Sequence, residues 1–380
     1  MYRLLILLVL TSSTLSKAQT LDIQWTFETG SKVLATPLIY QETIYIGDED
    51  GTFYAINAVN SDLKWKYETE GIIQAKAASI DGNVFFESAN VFYLLNAETG
   101  ELIWEKDLEI KPFSYDPNAN EPLYKIDPWD DKRSEATLHN GVIYVGTSNG
   151  YIFGFNAENG ETVFKLSTIN LSPVRSSPMI QSGQLYFGDW DARIYKYNFT
   201  TKDFDWIKRT YRGARPYPSF GGIVSQFLLH KERLYFGSRN HMLNVLYDDT
   251  GEKEWTYADP NGGWIVGDPI IESDTLFIGG SDNLTMFAFS TRDGRLLWSQ
   301  NGGKNIYTKP LLLDSYLIYT SGNGYDANDT GIVYLLSKKD GAEIDTLEVS
   351  KGIFSSPSYS NGSIIFGSND GNIYSVSIIE

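Results

Sequence analysis

The sequence predicts an all-β chain: an eight-bladed β-propeller of four-stranded antiparallel blades, closed by the N-terminal strand completing the last blade. Three observations carry this. The first is a unit at 134–167, SEATLHNGVIYVGTSNGYIFGFNAENGETVFKLS, which divides into four short strands. They run over Ala136–Leu138, Val142–Gly146, Tyr151–Asn156 and Thr162–Leu166. Asn140-Gly141, Ser148-Asn149-Gly150 and Asn159-Gly160 separate them. An Asn-Gly pair between alternating apolar and β-branched residues is a strong hairpin signal, because both central residues of such a turn need positive φ. The second observation is recurrence. The residue closing strand two falls at Gly47, Glu87, Gly146, Gly188, Gly237, Gly279, Thr320 and Gly367, at intervals of 40, 59, 42, 49, 42, 41 and 47 residues. That period holds four strands and a connection. The third is a deficit with its remedy. The last unit, Ser355–Ile378, stops after three strands, and Ile23-Gln24-Trp25-Thr26-Phe27 at the other end reads as the missing fourth. Joining them removes the free sheet edges.

The elements follow in order. Strand one of each blade is headed by Pro37, Ala77, Ala136, Pro178, Phe227, Pro269, Pro310 or Pro357, ten residues before the closing residue of strand two. Strand four carries a large aromatic at Trp65, Trp104, Phe164, Trp206, Trp255 and Trp298, with Trp25 supplying the eighth blade. The seventh blade lacks one, and Ile344 or Leu347 is expected in its place. A single blade cannot bury both faces, so neighbours are obligatory and 19–380 is expected to form one domain. No linker, heptad, low-complexity tract or helix of consequence stands out.

Residues 1–18 read as a signal peptide. Arg3 precedes the apolar run Leu4–Leu10, and Ser16-Lys17-Ala18 predicts cleavage before Gln19. The run is too short to span a bilayer, and no later stretch of about 18 apolar residues occurs. Without cysteine there is no disulfide, thiolate nucleophile, Cys-ligated metal or lipobox. Of 31 basic residues, 29 remain after Arg3 and Lys17 are removed, against 48 acidic ones, giving a net charge of −19. Such a surface repels nucleic acid and anionic membrane. The expectation is a periplasmic or secreted monomer with no membrane span or lipid anchor.

Propeller geometry sorts the connections. Turns between strands one and two, and three and four, lie on one face; these are tight, as at Asp81-Gly82 and Asn361-Gly362. Connections between blades and between strands two and three lie on the other, and the long insertions Leu108–Arg133, Thr210–Gly222, Ala258–Val266 and Gly322–Thr330 all fall there. Loops rooted in a rigid scaffold carry function, so this is the candidate binding face. It gathers Trp129, Asp130, Arg133, Arg175, Asp189, Trp190, Arg212, Arg215, Arg239 and Trp264. Lys76, Glu135, Gln226, Asp268 and Lys309 sit at strand heads facing the axis. Arg forks and Trp platforms around a funnel suit a protein or an anionic ligand such as a carboxylate or sugar acid. The alternative is that opposed charges satisfy one another around a water-filled channel.

Asp326-Ala327-Asn328-Asp329-Thr330-Gly331 and Asp48-Glu49-Asp50-Gly51 offer hard oxygen atoms but lack the EF-hand spacing, and read as turns. Of three histidines, His139 and His230 fall on the face opposite the insertions and only His241 lies near the funnel. No nucleophile elbow, phosphate-cradling loop or zinc-spaced cluster occurs.

The repeat resembles that of the PQQ-like propeller superfamily. Ser176-Ser177-Pro178 and Ser355-Ser356-Pro357 stand before strand one, a Tyr-x-Gly follows, and Asn96-Ala97-Glu98-Thr99-Gly100-Glu101-Leu102-Ile103-Trp104 is the best copy of its Asn-Ala-x-x-Gly…Trp signature. The resemblance covers almost all of 19–380. It implies either a non-enzymatic scaffold, similar in size and blade count to the BamB outer-membrane assembly factors, or a quinoprotein oxidoreductase holding pyrroloquinoline quinone and calcium. In such dehydrogenases adjacent cysteines cover the quinone, a Trp stacks on it and Glu, Asn and Asp hold calcium. Trp190 or Trp264 could stack, but neither the cysteines nor a calcium-ligand motif is present here. Propellers also host polysaccharide lyases and glycosidases, for which Glu135 with Asp268, or Asp130 with Asp189, are the carboxylate pairs to weigh. The expectation is a binding propeller with no catalytic residues, cofactor or metal.

Overall fold

The structure is a computed structural model that describes residues 19–108, 134–210, 222–324, 326 and 328–379. Among these residues the chain forms eight four-stranded antiparallel sheets, as expected. Seven are consecutive in sequence; Thr137–His139, Val142–Gly146, Tyr151–Asn156 and Thr162–Ser167 make the third. The eighth joins both ends, with Thr20–Glu28 pairing to Asn372–Ile379 on the outside of Ser363–Gly367 and Ser358–Ser360. The signal-peptide expectation lies outside the described residues. A short 3-10 turn, Ile169–Leu171, interrupts the β-structure, and no described helix is long and apolar enough to cross a membrane.

Burial explains the strand patterns. Second and third strands are covered by neighbouring blades on both faces, so Thr43–Gly47 is buried throughout. Fourth strands lie on the perimeter and alternate, as in Leu63–Glu68. The tight turns adopt the geometry their residues predict, with positive φ at Asn140 and Gly141 and at Asn361 and Gly362. In blade 1 the glycine at the end of strand two is a packing requirement. A Cβ on Gly47 would lie 2.2 Å from the Ile73 side chain of the next blade.

Each outer strand carries a bulge one residue before the position that is aromatic in seven of the eight, breaking the flat edge another sheet could pair with. The aromatic then docks into the following blade. The indole N–H of Trp65 donates to the Ala97 carbonyl at 3.0 Å, and that of Trp104 to Ala157 at 3.0 Å. Trp206 reaches Asp248 at 2.9 Å and Trp298 reaches Lys338 at 3.0 Å. Glycine lies against the ring: Gly160, at φ +70°, would place a Cβ 2.9 Å from Trp104.

The seventh blade corrects the sequence reading. The residue at the aromatic position is Asp345, opposite Leu335, while Ile344 occupies the bulge and Leu347 lies two residues further along. Its Oδ2 accepts a hydrogen bond of 2.6 Å from the Leu21 amide, so the polarity of the docking bond is reversed at the seam with the closing blade.

Candidate functional site

The two kinds of segment that meet on the loop-rich face are fixed by one repeated backbone bond. The second residue after the closing position of strand two (Gly188, Gly237, Gly279) donates its N–H to the stretch leading into strand one of the same blade. Trp190 bonds the Pro173 carbonyl at 2.9 Å, Arg239 bonds Gly222 at 3.1 Å, and Ser281 bonds Trp264 at 2.8 Å. Arg175 enters from the lead-in to blade 4.

This framework brings four expected residues into one stack. The Arg175 guanidinium lies 4.4 Å from the Trp190 ring centre. Arg239 lies 4.9 Å from Trp190 and 3.8 Å from Trp264. Alternating guanidinium and indole is favourable because the cation meets the negative face of each ring, worth about 2 kcal/mol when desolvated. The stack is internal: Trp190 is 1 %, Arg239 3 % and Arg175 5 % exposed, with Trp264 partly exposed. Val224 and Val266 pack beneath it, and Tyr307 continues the aromatic layer to Phe354 at 5.7 Å. It is therefore a brace under the loops, not a set of open forks.

Asp189 holds the turn that presents Trp190. Its carboxylate accepts from the amides of Asp191 at 2.8 Å and Arg193 at 2.9 Å, from Arg193 Nη1 at 3.2 Å and from the Tyr195 hydroxyl at 2.7 Å. Burial pushes this carboxyl above the usual carboxylate range, against the pull of those hydrogen bonds. With its oxygens engaged and no exposed surface, Asp189 is committed to the turn.

Asp268 and Lys309 belong to a separate ring around the axis. Strand-head amides donate to side chains of the next blade: Glu135 to Ser177 at 3.0 Å, Gln226 to Asp268 at 2.7 Å, Lys309 to Ser356 at 2.9 Å and Ser356 to Thr36 at 3.2 Å. The Gln226 side-chain amide also donates to Glu135 at 2.7 Å, so one glutamine engages both carboxylates weighed as a catalytic pair. Trp129, Asp130, Arg133, Arg212 and Arg215 lie outside the described residues. Arg175 further lines a cavity of about 340 Å³ between blades 2, 3 and 4, with Gln74, Glu87, Asn90, Ser134 and Thr147. The sequence signal for this cavity is Glu87, which stands where six blades carry glycine.

The remaining expectations resolve locally. Asp329 pairs with Lys304 at 2.7 Å, and Asp326 caps the Asn328 amide, as turn residues do. Asp48 accepts from the Thr52 amide and the Tyr54 hydroxyl. His139 stacks on Phe199, on the tight-turn face. Among the described residues no group of three or more His, Cys, Asp or Glu could hold a metal ion.

A family model described as outer membrane protein assembly factor BamB matches residues 11–113, 87–218 and 212–379. The chain belongs to the BamB family. BamB of Yersinia pestis is 20 % identical over 292 residues, covering 74 % of this chain and 67 % of that protein. The crystal structure of BamB from Moraxella catarrhalis matches with a TM-score of 0.73 and 18 % identity, over 94 % of this chain and 99 % of that one. Quinohemoprotein alcohol dehydrogenase from Comamonas testosteroni matches with a TM-score of 0.72 and 12 % identity, over 94 % and 76 %. At these identities the structural likenesses show the fold. Trp190 does not fit as a quinone platform, since it already carries two guanidiniums and the Gly222 backbone against its ring.

Proposed function

We propose that this chain is an exported, non-enzymatic propeller that binds a protein partner in the assembly of outer membrane proteins, using its loop-rich face. The observation that carries the reading is the family match along 11–379, and the geometry is consistent with it. Of the residues assigned to a ligand funnel, Arg175, Trp190 and Arg239 are buried as a brace. Asp189 is spent on a turn, and Glu135 and Asp268 are tied through Gln226. A braced platform on the loop-rich face favours recognition by surface complementarity. The net charge of −17 favours a partner with a basic patch.

The test is a deletion strain of the native host, with the abundance of folded β-barrel proteins in its outer membrane as readout. Loss of the gene is expected to lower that abundance, and a plasmid copy to restore it. Unchanged abundance with an intact outer membrane overturns the reading.

A further inference from the structure

Blade 5 breaks a rule that the other seven blades keep. On the third strand, the residue opposite the one that precedes the closing position of strand two (Gly47 in blade 1, Gly237 in blade 5) is aromatic, as at Tyr54, Tyr93, Tyr195, Phe287 and Tyr334; in blade 5 it is Asn244, opposite Phe236. The aromatic ring normally fills the seam with the preceding blade. Tyr54 packs on Phe27 at 5.7 Å, Tyr93 on Tyr67 at 5.8 Å and Phe287 on Tyr257 at 5.6 Å. At the seam between blades 4 and 5 both rings are gone, because Lys208 stands on the outer strand where Phe27, Tyr67 and Tyr257 stand elsewhere.

The polar partner of the ring has changed as well. Tyr54 and Tyr195 donate to Asp48 and Asp189 at 3.0 and 2.7 Å. In blade 5 this pair is Ser238 and Asn244, whose Nδ2 donates to the Ser238 hydroxyl at 3.1 Å. The polar link is preserved while the ring is lost, so blade 5 stays folded around a missing side chain. A groove of about 310 Å³ remains, lined from Thr210 and Met242 at the loop-rich end to Gly251, Glu252 and Lys253 at the tight-turn end.

Its chemistry differs from that of the protein as a whole. Ile194 and Leu246 form an apolar floor, and Asn244 is 3 % exposed. Lys208, Arg209 and Lys253 stand around it with Glu252 as the one carboxylate, in a chain with 48 acidic residues against 31 basic ones. Lys208 is paired with Glu252, whereas Lys253 has no ion pair among the described residues. A groove with an apolar floor, open where a ring is missing and bordered by cations, matches an aromatic side chain adjacent to a carboxylate.

We propose that this seam is a binding groove for a short acidic segment of a partner protein, which inserts an aromatic side chain where blade 5 lacks its own and sets a carboxylate beside Lys208 and Lys253. This rests on the protein-binding reading above and adds a second contact on the side of the ring.

The test titrates the purified protein with two capped dipeptides, N-acetyl-Phe-Asp-amide and N-acetyl-Phe-Lys-amide, followed by calorimetry. The acidic probe is expected to bind in about the millimolar range usual for a fragment of its size, and at least about tenfold more tightly than the basic one. The double variant Ser238→Asp with Asn244→Tyr rebuilds the pair of blades 1 and 4; it should melt no lower than the parent and bind the acidic probe at least about tenfold more weakly. Lys253→Glu, on the exposed rim, should weaken the probe by a similar factor with an unchanged melting temperature. Equal affinity for both dipeptides, no saturable binding of the acidic one, or undiminished binding by the filled or charge-reversed variants overturns the proposal. The two readings fail separately: unchanged outer membrane protein levels in the deletion strain would remove the assembly role without touching these titrations.

Discussion

Asp345 and Leu21, 324 residues apart in sequence, are joined by a hydrogen bond of 2.6 Å from the Leu21 amide to the Asp345 carboxylate. It sits at the seam where the N-terminal strand must be held against blade 7. At four other seams an indole N–H reaches a carbonyl; here a carboxylate accepts from an amide. Hydrogen bonds to charged groups contribute about 1.5–3 kcal/mol. Asp345→Ala is therefore expected to destabilise the ring by about 1–3 kcal/mol in urea unfolding. Faster exchange of the Leu21 amide should accompany it. A variant with unchanged midpoint and unchanged exchange would show that the strand is held by its ladder alone.

The indole docking at the seam between blades 2 and 3 separates a hydrogen bond from a packing requirement. Trp104→Phe removes the bond to Ala157 and keeps a ring, a loss of about 1 kcal/mol. Gly160→Ala keeps the bond but puts a Cβ 2.9 Å from the indole at a φ of +70°, so both ring and backbone must move. Left-handed strain alone costs about 1 kcal/mol or more. The alanine variant should thus unfold at lower denaturant than the phenylalanine one. The reverse order would mean that the hydrogen bond, not the close approach, determines the fit.

The blade count, strand boundaries and ring closure were legible because turn chemistry and hydrophobic period agree in every blade; Asn140-Gly141 and the gap after Ile378 are enough to place the third and eighth. Asp345 was not, because the bulge before each aromatic inserts a residue, and counting from the turn lands on Ile344. Residue types of the stack were readable, but their burial was not: Arg175, Trp190 and Arg239 look like a ligand funnel until the backbone bonds to Pro173 and Gly222 pull them together. Asn244 could have been found. Leu243-Asn244-Val245 stands where blades 1 and 4 read Phe53-Tyr54-Ala55 and Ile194-Tyr195-Lys196, and only alignment of blades, not periodicity, exposes the missing ring.

Arg239 ties two indoles from different loops, Trp190 and Trp264. Arg239→Met keeps the length and the packing of the stem but removes the cation, so the expected loss is about 1–2 kcal/mol of stability. Because the group is 3 % exposed, added salt should change this difference little. Trp190 and Trp264 would also report directly through a shift in emission. A full loss that disappears at high salt would place the interaction at the surface and remove the stack as the brace of the loop-rich face.

On the tight-turn face Asp274 links blades 5 and 6. Its Oδ1 is 2.8 Å from Lys231 Nζ, and its Oδ2 accepts from Arg292 Nε at 2.9 Å and from Arg292 Nη2. Hydrogen bonds from Lys231 and Arg292 hold its carboxyl down at about 2, against an ordinary value of 3.8. A folded-state value below the unfolded one means the native chain binds this proton less tightly than the unfolded chain. The contribution is therefore present above pH 3.8 and is lost as pH falls through about 2. The carboxylate is open to solvent, so screening keeps the contribution small and salt-dependent. Carboxyl-detected NMR titration should place the Asp274 midpoint near 2, and Arg292→Ala should move it up toward 3.8. A midpoint already near 3.8 in the parent protein would mean that the two cations do not hold the carboxylate in solution, and that blades 5 and 6 are fastened on this face by packing alone.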